Sequence, residues 1–354
     1  MLTFENAAEV LEETRFGLPS AIHKLAMRDI LLNDILRYVA LEEPVIKALA
    51  EKIREEINLI SMTKYQAFSL VAGVDAGSQI LSLASRQIGL ISSLAYLLPK
   101  GERFWTKPES FTIPYTLPGD RVKSSINLRR ESKLYETANK FVQERPGTEL
   151  LLIDGPLALS GWWNLTGCQK DRQRLVTGMN SLIKTCREAG VTLAGIVKRP
   201  SARYLIHSLG LQDETNISDS FILLHILKPG ERTDIFSPDS TLHQASRGHS
   251  LMAAIDEPIY SFYGKLTPGW DVPPVRVDLP AFSLARLDDV ADYCYATSFH
   301  NGVPLPIIKA DEDVRITRRF MAEVYNEALR KIGRQSGDMR GLALTWGEGR
   351  WMGV

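Results

Sequence analysis

Apolar runs of β-strand type alternate with helical segments through the middle of this chain, and this alternation is the feature that most restricts its fold. The run ELLLID lies between helical patterns over residues 126–144 and 171–189, and the runs VTLAGIVK and SDSFILLHIL follow them. Strands that alternate with helices are typical of an α/β sheet in which at least some strands are parallel. We therefore predict a mixed sheet flanked by helices.

Helical patterns also occupy both ends of the chain. Apolar residues at steps of three and four predict two or three helices from about residue 5 to residue 62, with a break at Pro44, and helical patterns return over residues 281–331. Residues 67–98 carry two β-like runs joined by a Gly-containing turn, and ESFTIPYTLP predicts a third strand. Residues 228–280, rich in Pro, Gly, Ser and Asp, predict loops with short strands.

Composition excludes few functions. Lys+Arg and Asp+Glu number 42 each in 354 residues, so any nucleic acid must meet a local basic surface. The three cysteines form no CxxC pair, which argues against a disulfide framework or a zinc knuckle. The first residues lack a signal-peptide pattern, and no apolar stretch is long enough to span a bilayer, so we expect a cytoplasmic protein without a membrane partner.

Two aspartates each follow an apolar run and precede small residues. Asp75 lies in VDAGS, and Asp154 lies in LLLIDGPL. We expect each to end a strand just before a turn, so that two strands of one sheet could place the two carboxylates side by side. Neighbouring carboxylates repel unless a divalent cation neutralises them, and Mg²⁺ or Mn²⁺ takes oxygen ligands. An Asp that only opens a turn or caps a helix is an equally open interpretation for each.

Two further residues could join such a site. Lys198 ends the run GIVK and could contact a phosphate as a point charge, although lysines usually lie in solvent. Asp219, in SDSFILL, is more typical of a helix N-cap or first turn. The six histidines show no HxH or HExxH spacing, which argues against a zinc site.

Taken in order, these features resemble the NurA nuclease family. The family has the same order of features as this chain: a strand ending in VDAGS, a helix carrying Arg130 and Glu131, LLIDGPL, GIVKRP and then SDSFILL. Its closing pattern is similar to the C-terminal segments RVDLP and GVPLPIIKAD followed by VRIT. The resemblance covers about residues 69–319. It implies a ribonuclease H-like fold, with residues 1–66 as an N-terminal helical region, 67–331 as the nuclease domain and 332–354 as a tail.

The family resemblance also implies an activity and partners. NurA proteins form toroidal homodimers, degrade single- and double-stranded DNA with manganese as 5′–3′ exonucleases, and act with the hexameric HerA ATPase in end resection. The expected cofactor here is Mn²⁺ or Mg²⁺, as two ions that activate water and stabilise the leaving oxygen. The expected partners are DNA, a HerA-like ATPase and a second copy of the chain.

The resemblance assigns roles to individual residues. Asp75 and Asp154 match the family's metal-binding carboxylates, Glu131 or Glu136 its helical glutamate, and Lys198 and Asp219 its later motifs. Where the family commonly has Tyr-Pro and Ala-His, this chain has Val303-Pro304 and Ala310-Asp311. Asp311 could still ligate a metal through oxygen, but it cannot supply an imidazole. The basic residues expected to contact DNA are Arg130, Lys198, Arg199, Arg276 and Arg315.

Helical geometry favours Glu131 over Glu136 as the third carboxylate. At about 100° per residue, Glu131 lies at the centre of an apolar face formed by Leu134, Tyr135, Ala138, Phe141 and Val142, whereas Glu136 points toward solvent. A carboxylate on a face that packs against a sheet needs a cation or a strong hydrogen-bond partner. The cation could be a metal, or the side chain of Arg129 or Arg130.

Two other functions are compatible with these residues. An actin-like or sugar-kinase ATPase would use the two Asp-containing turns to hold phosphates, although the chain lacks a late Gly-rich adenosine motif and is short for two such domains. A non-catalytic adaptor of a DNA motor would use the aspartates only to cap turns. ATP turnover and Mn²⁺-dependent DNA degradation would separate these functions from a nuclease.

Overall fold

A computed structural model of the chain describes residues 21–113, 119–159, 169–238, 251–335, 338 and 340–344. The chain divides into two compact units, Met1–Glu56 and Ile57–Val354. The first unit contains helices α1 (Ala21–Leu41) and α2 (Glu43–Glu56), which meet just before Pro44 as predicted. Among the described residues, no helix combines the length and apolar character needed to cross a membrane.

The described residues of the second unit are built around a ten-stranded mixed sheet. Its first half contains strands β1 (Leu59–Ser61), β2 (Val71–Leu83), β3 (Arg86–Leu98), β4 (Glu102–Trp105), β5 (Glu109–Ile113) and β6 (Leu150–Asp154), with helix α3 (Gly119–Glu144) before β6. Its second half contains helix α4 (Gln169–Ala189), strand β7 (Thr192–Val197), the short helices α5 (Tyr204–Ser208) and α6 (Asp219–Leu223), and strands β8 (Glu231–Thr233), β9 (Ile259–Gly264) and β10 (Val275–Pro280). Helices α7 (Leu287–Thr297), α8 (Leu305–Val314) and α9 (Arg318–Gln335) follow.

The strand order is β1-β8-β9-β10-β7-β6-β2-β3-β4, with β5 paired to β3. The central strands β2, β6 and β7 are parallel, and the other pairs are antiparallel. Two parallel strands need a crossover connection, which α3 and α4 supply. The mixed sheet flanked by helices is therefore confirmed.

Successive side chains of the central strands point to opposite faces of the sheet and pack into two separate cores. On one face, Val74 and Ile153 pack in a cluster with Tyr135 of α3 and Met179 of α4. On the other face, neighbouring strand residues such as Leu152 pack in a cluster that contains residues of α7 and α8. The unbroken apolar run of β6 thus reflects a strand buried on both faces.

Three boundaries differ from the sequence prediction. Strand β2 continues through Asp75 and Gly77 to Leu83, and the turn to β3 is formed by residues 84–85, which contain no glycine. Its thirteen-residue pairing with β3 overrides the turn tendency of the small residues. Helix α3 begins at Gly119 rather than near residue 126. The run SDSFILL forms the short helix α6 rather than a strand, which agrees with the helical first turn expected for Asp219.

Candidate metal centre

Asp75 and Asp154 emerge where the parallel pairing of β2 and β6 ends. The paired register runs from Val71 opposite Leu150 to Val74 opposite Ile153, so the next residue on each strand is an aspartate. Parallel neighbours in this register place equivalent residues side by side. The predicted proximity of these two carboxylates therefore comes from strand register, although Asp75 lies within a long strand rather than before a turn.

Helix α8 brings a third carboxylate, Asp311, to this pair. A Cβ atom at Gly73 would lie 2.3 Å from the backbone of Pro306, and one at Gly77 would lie 2.6 Å from the carbonyl oxygen of Val314. These two glycines therefore let α8 pack directly on the backbone of β2, on the face that also presents Asp75. Carboxylate oxygens of Asp75, Asp154 and Asp311 all lie within 4.8 Å of one another.

Burial makes this cluster electrostatically unfavourable without a cation. Desolvation, followed by the nearby Asp154 charge, raises the pKa of Asp75 to about 8, although Lys198 acts in the opposite direction. Burial also raises the pKa of Asp154. The Asp75 side chain is only 6% exposed, and its Oδ1 accepts one hydrogen bond, from the Ala76 amide at 2.6 Å. Both carboxylates can be ionised together only when positive charge lies close to them. A bound cation would supply that charge, so the pair is suited to binding one.

Lys198 supplies part of that charge. It follows the last residue of β7, the strand next to β6, and its Nζ lies 2.6 Å from Asp154 Oδ2 and 3.8 Å from Asp311 Oδ1. The side chain is 27% exposed and lines the same cavity as the carboxylates. Arg199 beside it is exposed, and Arg315 donates to Asp311 at 2.9 Å from an exposed position.

Glu131 completes the site from α3. It is buried, as the helical spacing predicts, and its Oε1 accepts a hydrogen bond from Arg130 at 2.8 Å. Its buried Oε2 has no hydrogen-bond partner among the described residues, and a Cβ atom at Gly155 would lie only 3.0 Å from it. Desolvation raises the pKa of Glu131, while Arg130 opposes the shift. An unpartnered carboxylate oxygen in a buried position is costly, so this atom is suited to a cation.

These groups line one open cavity of about 310 Å³. Its walls come from β2, α3, β6 with the following turn, β7 and α8. The residues are Asp75, Ala76, Arg130, Glu131, Asp154, Gly155, Pro156, Ile196, Val197, Lys198 and Asp311. The donor set is all oxygen, and this set suits Mn²⁺ or Mg²⁺ rather than a thiolate- or imidazole-preferring metal.

Asp219 and Glu136 lie outside this cavity. The Asp219 carboxylate accepts hydrogen bonds from the amides of Leu205 and Ile206, at 2.8 and 3.0 Å, and from the Tyr263 hydroxyl at 2.9 Å. Asp219 therefore accepts hydrogen bonds from the free amides in the first turn of α5, and it does not line the metal cavity. Glu136 is partly exposed and pairs with the buried Lys133, with Lys140 and with Arg174 of α4.

Arg276 is buried rather than available to DNA. It is 3% exposed, and its guanidinium donates to Asp278 through Nε at 2.7 Å and through a terminal nitrogen at 3.0 Å. Our assignment of Arg276 to DNA contact is therefore corrected, because β10 is an interior strand whose polar side chains must be satisfied within the protein.

Asp278, which no sequence pattern singled out, organises the turn after Asp154. Its Oδ2 accepts the amides of Leu157 and Ala158, both at 3.0 Å, and its Oδ1 accepts the Ser261 hydroxyl at 2.7 Å. The signal was present in VRVDLP, where opposite charges two residues apart must share one face of an apolar strand. Asp278 thereby fixes the chain that forms the Gly155 and Pro156 wall of the cavity.

The fold and the site together define the class: a ribonuclease H-like α/β protein with a cluster of carboxylates at the centre of its sheet. The family model for the NurA domain matches residues 69–316. The chain therefore belongs to the NurA family. No curated protein matches the sequence significantly.

Solved structures of NurA proteins share this fold at low sequence identity. The NurA nuclease from Sulfolobus solfataricus is 16% identical with a TM-score of 0.59, over 88% of this chain and 97% of that one. A NurA crystal structure with manganese is 12% identical with a TM-score of 0.55, over 91% and 100% of the two chains. A NurA structure bound to dAMP and manganese is 13% identical with a TM-score of 0.50, over 87% and 98%.

Proposed function

We propose that this protein is a metal-dependent nuclease that hydrolyses phosphodiester bonds of DNA. The observation that carries the proposal is the group of three carboxylates within 4.8 Å, bordered by the unpartnered buried oxygen of Glu131. Like charges kept this close and partly desolvated repel one another, and a bound divalent cation relieves that repulsion. The family's solved relatives with manganese and with dAMP support the choice of metal and of substrate.

The chain's own residues would divide the work. Asp75, Asp154, Asp311 and Glu131 would hold Mn²⁺ or Mg²⁺, and the size of the carboxylate set suits two ions. A divalent ion bound there supplies a Lewis acid that activates water and offsets charge on the phosphate. Lys198 would orient the scissile phosphate through its ammonium, and Arg130 would hold Glu131 in place while keeping cationic charge on the cavity wall.

The finer features of the proposal come from the family resemblance. The activity is a 5′–3′ exonuclease in DNA end resection, repair or defence, coupled to a HerA-like hexameric ATPase. The chain acts as a homodimer. DNA would approach over Lys198, Arg199 and Arg315, which are basic residues at or beside the mouth of the cavity.

Purified protein incubated with end-labelled linear DNA tests the nuclease proposal directly. We expect degradation in Mn²⁺, little in EDTA, and stimulation when a HerA-like ATPase and ATP are added. ATP turnover by the protein alone would instead favour the kinase-like alternative. Intact DNA in Mn²⁺, with and without the ATPase, would contradict the proposal.

A further inference from the structure

A second, smaller cavity lies between β2 and α3. It has a volume of about 210 Å³ and is lined by Ser78, Gln79, Ile80, Lys123, Ile126 and Asn127. We call it the β2–α3 groove. These residues are separate from those that line the metal cavity.

The groove lies beyond the metal cavity, toward the C-terminal end of β2 and the N-terminal end of α3. The cavity combines Asp75 and Ala76 with Arg130 and Glu131, whereas the groove combines later residues of β2 with earlier residues of α3. Ser78 is three strand residues from Asp75, about 10 Å along β2. Asn127 is one helical turn from Glu131, about 6 Å along α3. The two sites therefore lie end to end along one seam.

One stripe of α3 connects them chemically. Lys123, Asn127 and Arg130 are spaced four and three residues apart, so they lie within about 60° on the helix surface. Arg130 belongs to the metal cavity, and the other two line the groove. The stripe thus presents two cations and one amide along a path that ends at the carboxylates.

The polar groups of the groove are available to a ligand. Among the side chains that the structure describes, which begin at residue 121 in α3, none forms an ion pair or hydrogen bond with the side chain of Lys123 or Asn127. Ile80 and Ile126 pack together beneath them as an apolar floor. Cationic and amide donors above an apolar floor match a phosphate and its adjoining sugar or base face.

We propose that the β2–α3 groove binds the sugar-phosphate backbone of the substrate strand, upstream or downstream of the bond that is cut. This inference rests on the nuclease function proposed above. At about 3.4 Å per stacked nucleotide, a separation of about 10 Å corresponds to about three nucleotides from the metal centre. Phosphate contacts carry no sequence information, so the groove would favour strand length and not base identity.

The test compares a long and a short substrate. The double variant Lys123→Ala/Asn127→Ala keeps helix α3 stable because Ala is the best helix former. Its matched control is Lys184→Ala/Gln173→Ala, which removes one lysine and one amide from exposed positions of α4. Cleavage kinetics are measured in Mn²⁺ on a dinucleotide, which cannot reach the groove, and on a single strand of about 20 nucleotides.

We expect the groove variant to raise KM for the long strand about tenfold with kcat nearly unchanged, and to cleave the dinucleotide like the wild type. The slope of log KM against log salt should fall by about 0.7, the value for one lost phosphate contact on a single strand. Long-strand kinetics equal to those of the control, or an equal loss on the dinucleotide, would overturn the proposal.

A binding measurement tests the groove independently of the nuclease activity. Fluorescence anisotropy of the labelled long strand, measured without catalysis, should show about tenfold weaker binding to the groove variant than to the control. A wild type that cuts neither substrate would refute the nuclease function, while the binding comparison would still decide the role of the groove. Equal affinity of the two variants would refute the groove.

Discussion

Asp75 and Asp154 are placed by strand register, yet each is electrostatically disfavoured in that position. Their carboxylates lie with Asp311 in a cluster less than 5 Å across, and burial raises the pKa of both strand residues. A residue that raises the energy of the metal-free protein is more easily explained by ligand binding than by stability. The amide of Asn has the same shape as the carboxylate without its charge.

We therefore expect Asp75→Asn and Asp154→Asn to lower nuclease activity at least about 100-fold while the protein stays folded, because each removes a metal-binding charge worth several kcal/mol. Melting temperatures with and without Mn²⁺ should show the ion stabilising the wild type but neither variant. Variants that unfold would indicate a structural role for the aspartates, and wild-type cleavage rates would refute the metal site.

Glu131 and Glu136 form a matched pair on one helix. Glu131 is buried and lines the cavity, with an oxygen that has no hydrogen-bond partner among the described residues, whereas Glu136 is paired to the buried Lys133 and the exposed Lys140. We expect Glu131→Gln to weaken Mn²⁺ binding, measured by calorimetry, about 10- to 100-fold with a parallel loss of cleavage. Glu136→Gln should leave both quantities unchanged. If Glu136→Gln alone lost activity, the assignment of the helical carboxylate would be wrong.

At the scale of elements, the turn after β6 is held from two strands away. Asp278 on β10 is fully buried and joins Arg276, Ser261 and the amides of Leu157 and Ala158. Strand β7 lies between β6 and β10, so the hydrogen bonds from the turn after β6 to Asp278 pass over β7. The position of one cavity wall therefore depends on an ion pair that touches no metal ligand.

We expect Asp278→Asn to lower the free energy of unfolding by about 3–5 kcal/mol, because it leaves the Arg276 charge buried without its partner. The double variant Arg276→Met/Asp278→Asn should cost less than the single variant, since the unpaired charge is then gone. Urea denaturation measures both. A single variant within about 1 kcal/mol of the wild type would contradict the role assigned to this pair.

At the scale of the whole molecule, α1 exposes large apolar side chains on more than one side, between its charged residues. Leu31 and Leu36 are 62% and 58% exposed, and they lie about 140° apart on the helix. Exposed apolar side chains grouped on one helix are typical of an interaction surface. The homodimer proposed from the family resemblance would provide a second copy to cover part of it.

We expect Leu31→Asp/Leu36→Asp to reduce the mass in light scattering from twice the chain mass to the 39.6 kDa of one chain. Trp270→Asp/Phe299→Asp, an equally charged double change at two exposed aromatic residues outside α1, should keep the dimer. A dimer that survives the α1 change would exclude α1 from the interface, and a monomeric wild type would refute the dimer.

The sequence alone determined the class of fold and the first part of the site. The apolar periodicity of β6, α4 and β7 predicted those elements to within about two residues at most ends, because local patterns record which side of each element must be buried. Asp75 and Asp154 could be expected to meet, since both follow apolar runs that belong in one sheet. The burial of Glu131 followed from helical spacing.

The tertiary structure alone decided how distant residues complete or leave the site. Asp311 reaches Asp75 because α8 packs on the bare backbone at Gly73 and Gly77, a contact more than 200 residues apart in sequence. The sequence does not show whether Asp219 and Arg276 serve the site or stabilise the fold. Their hydrogen bonds to buried partners show that they stabilise the fold. Periodicity specifies which face of an element is buried, whereas the partner that covers the face depends on long-range packing.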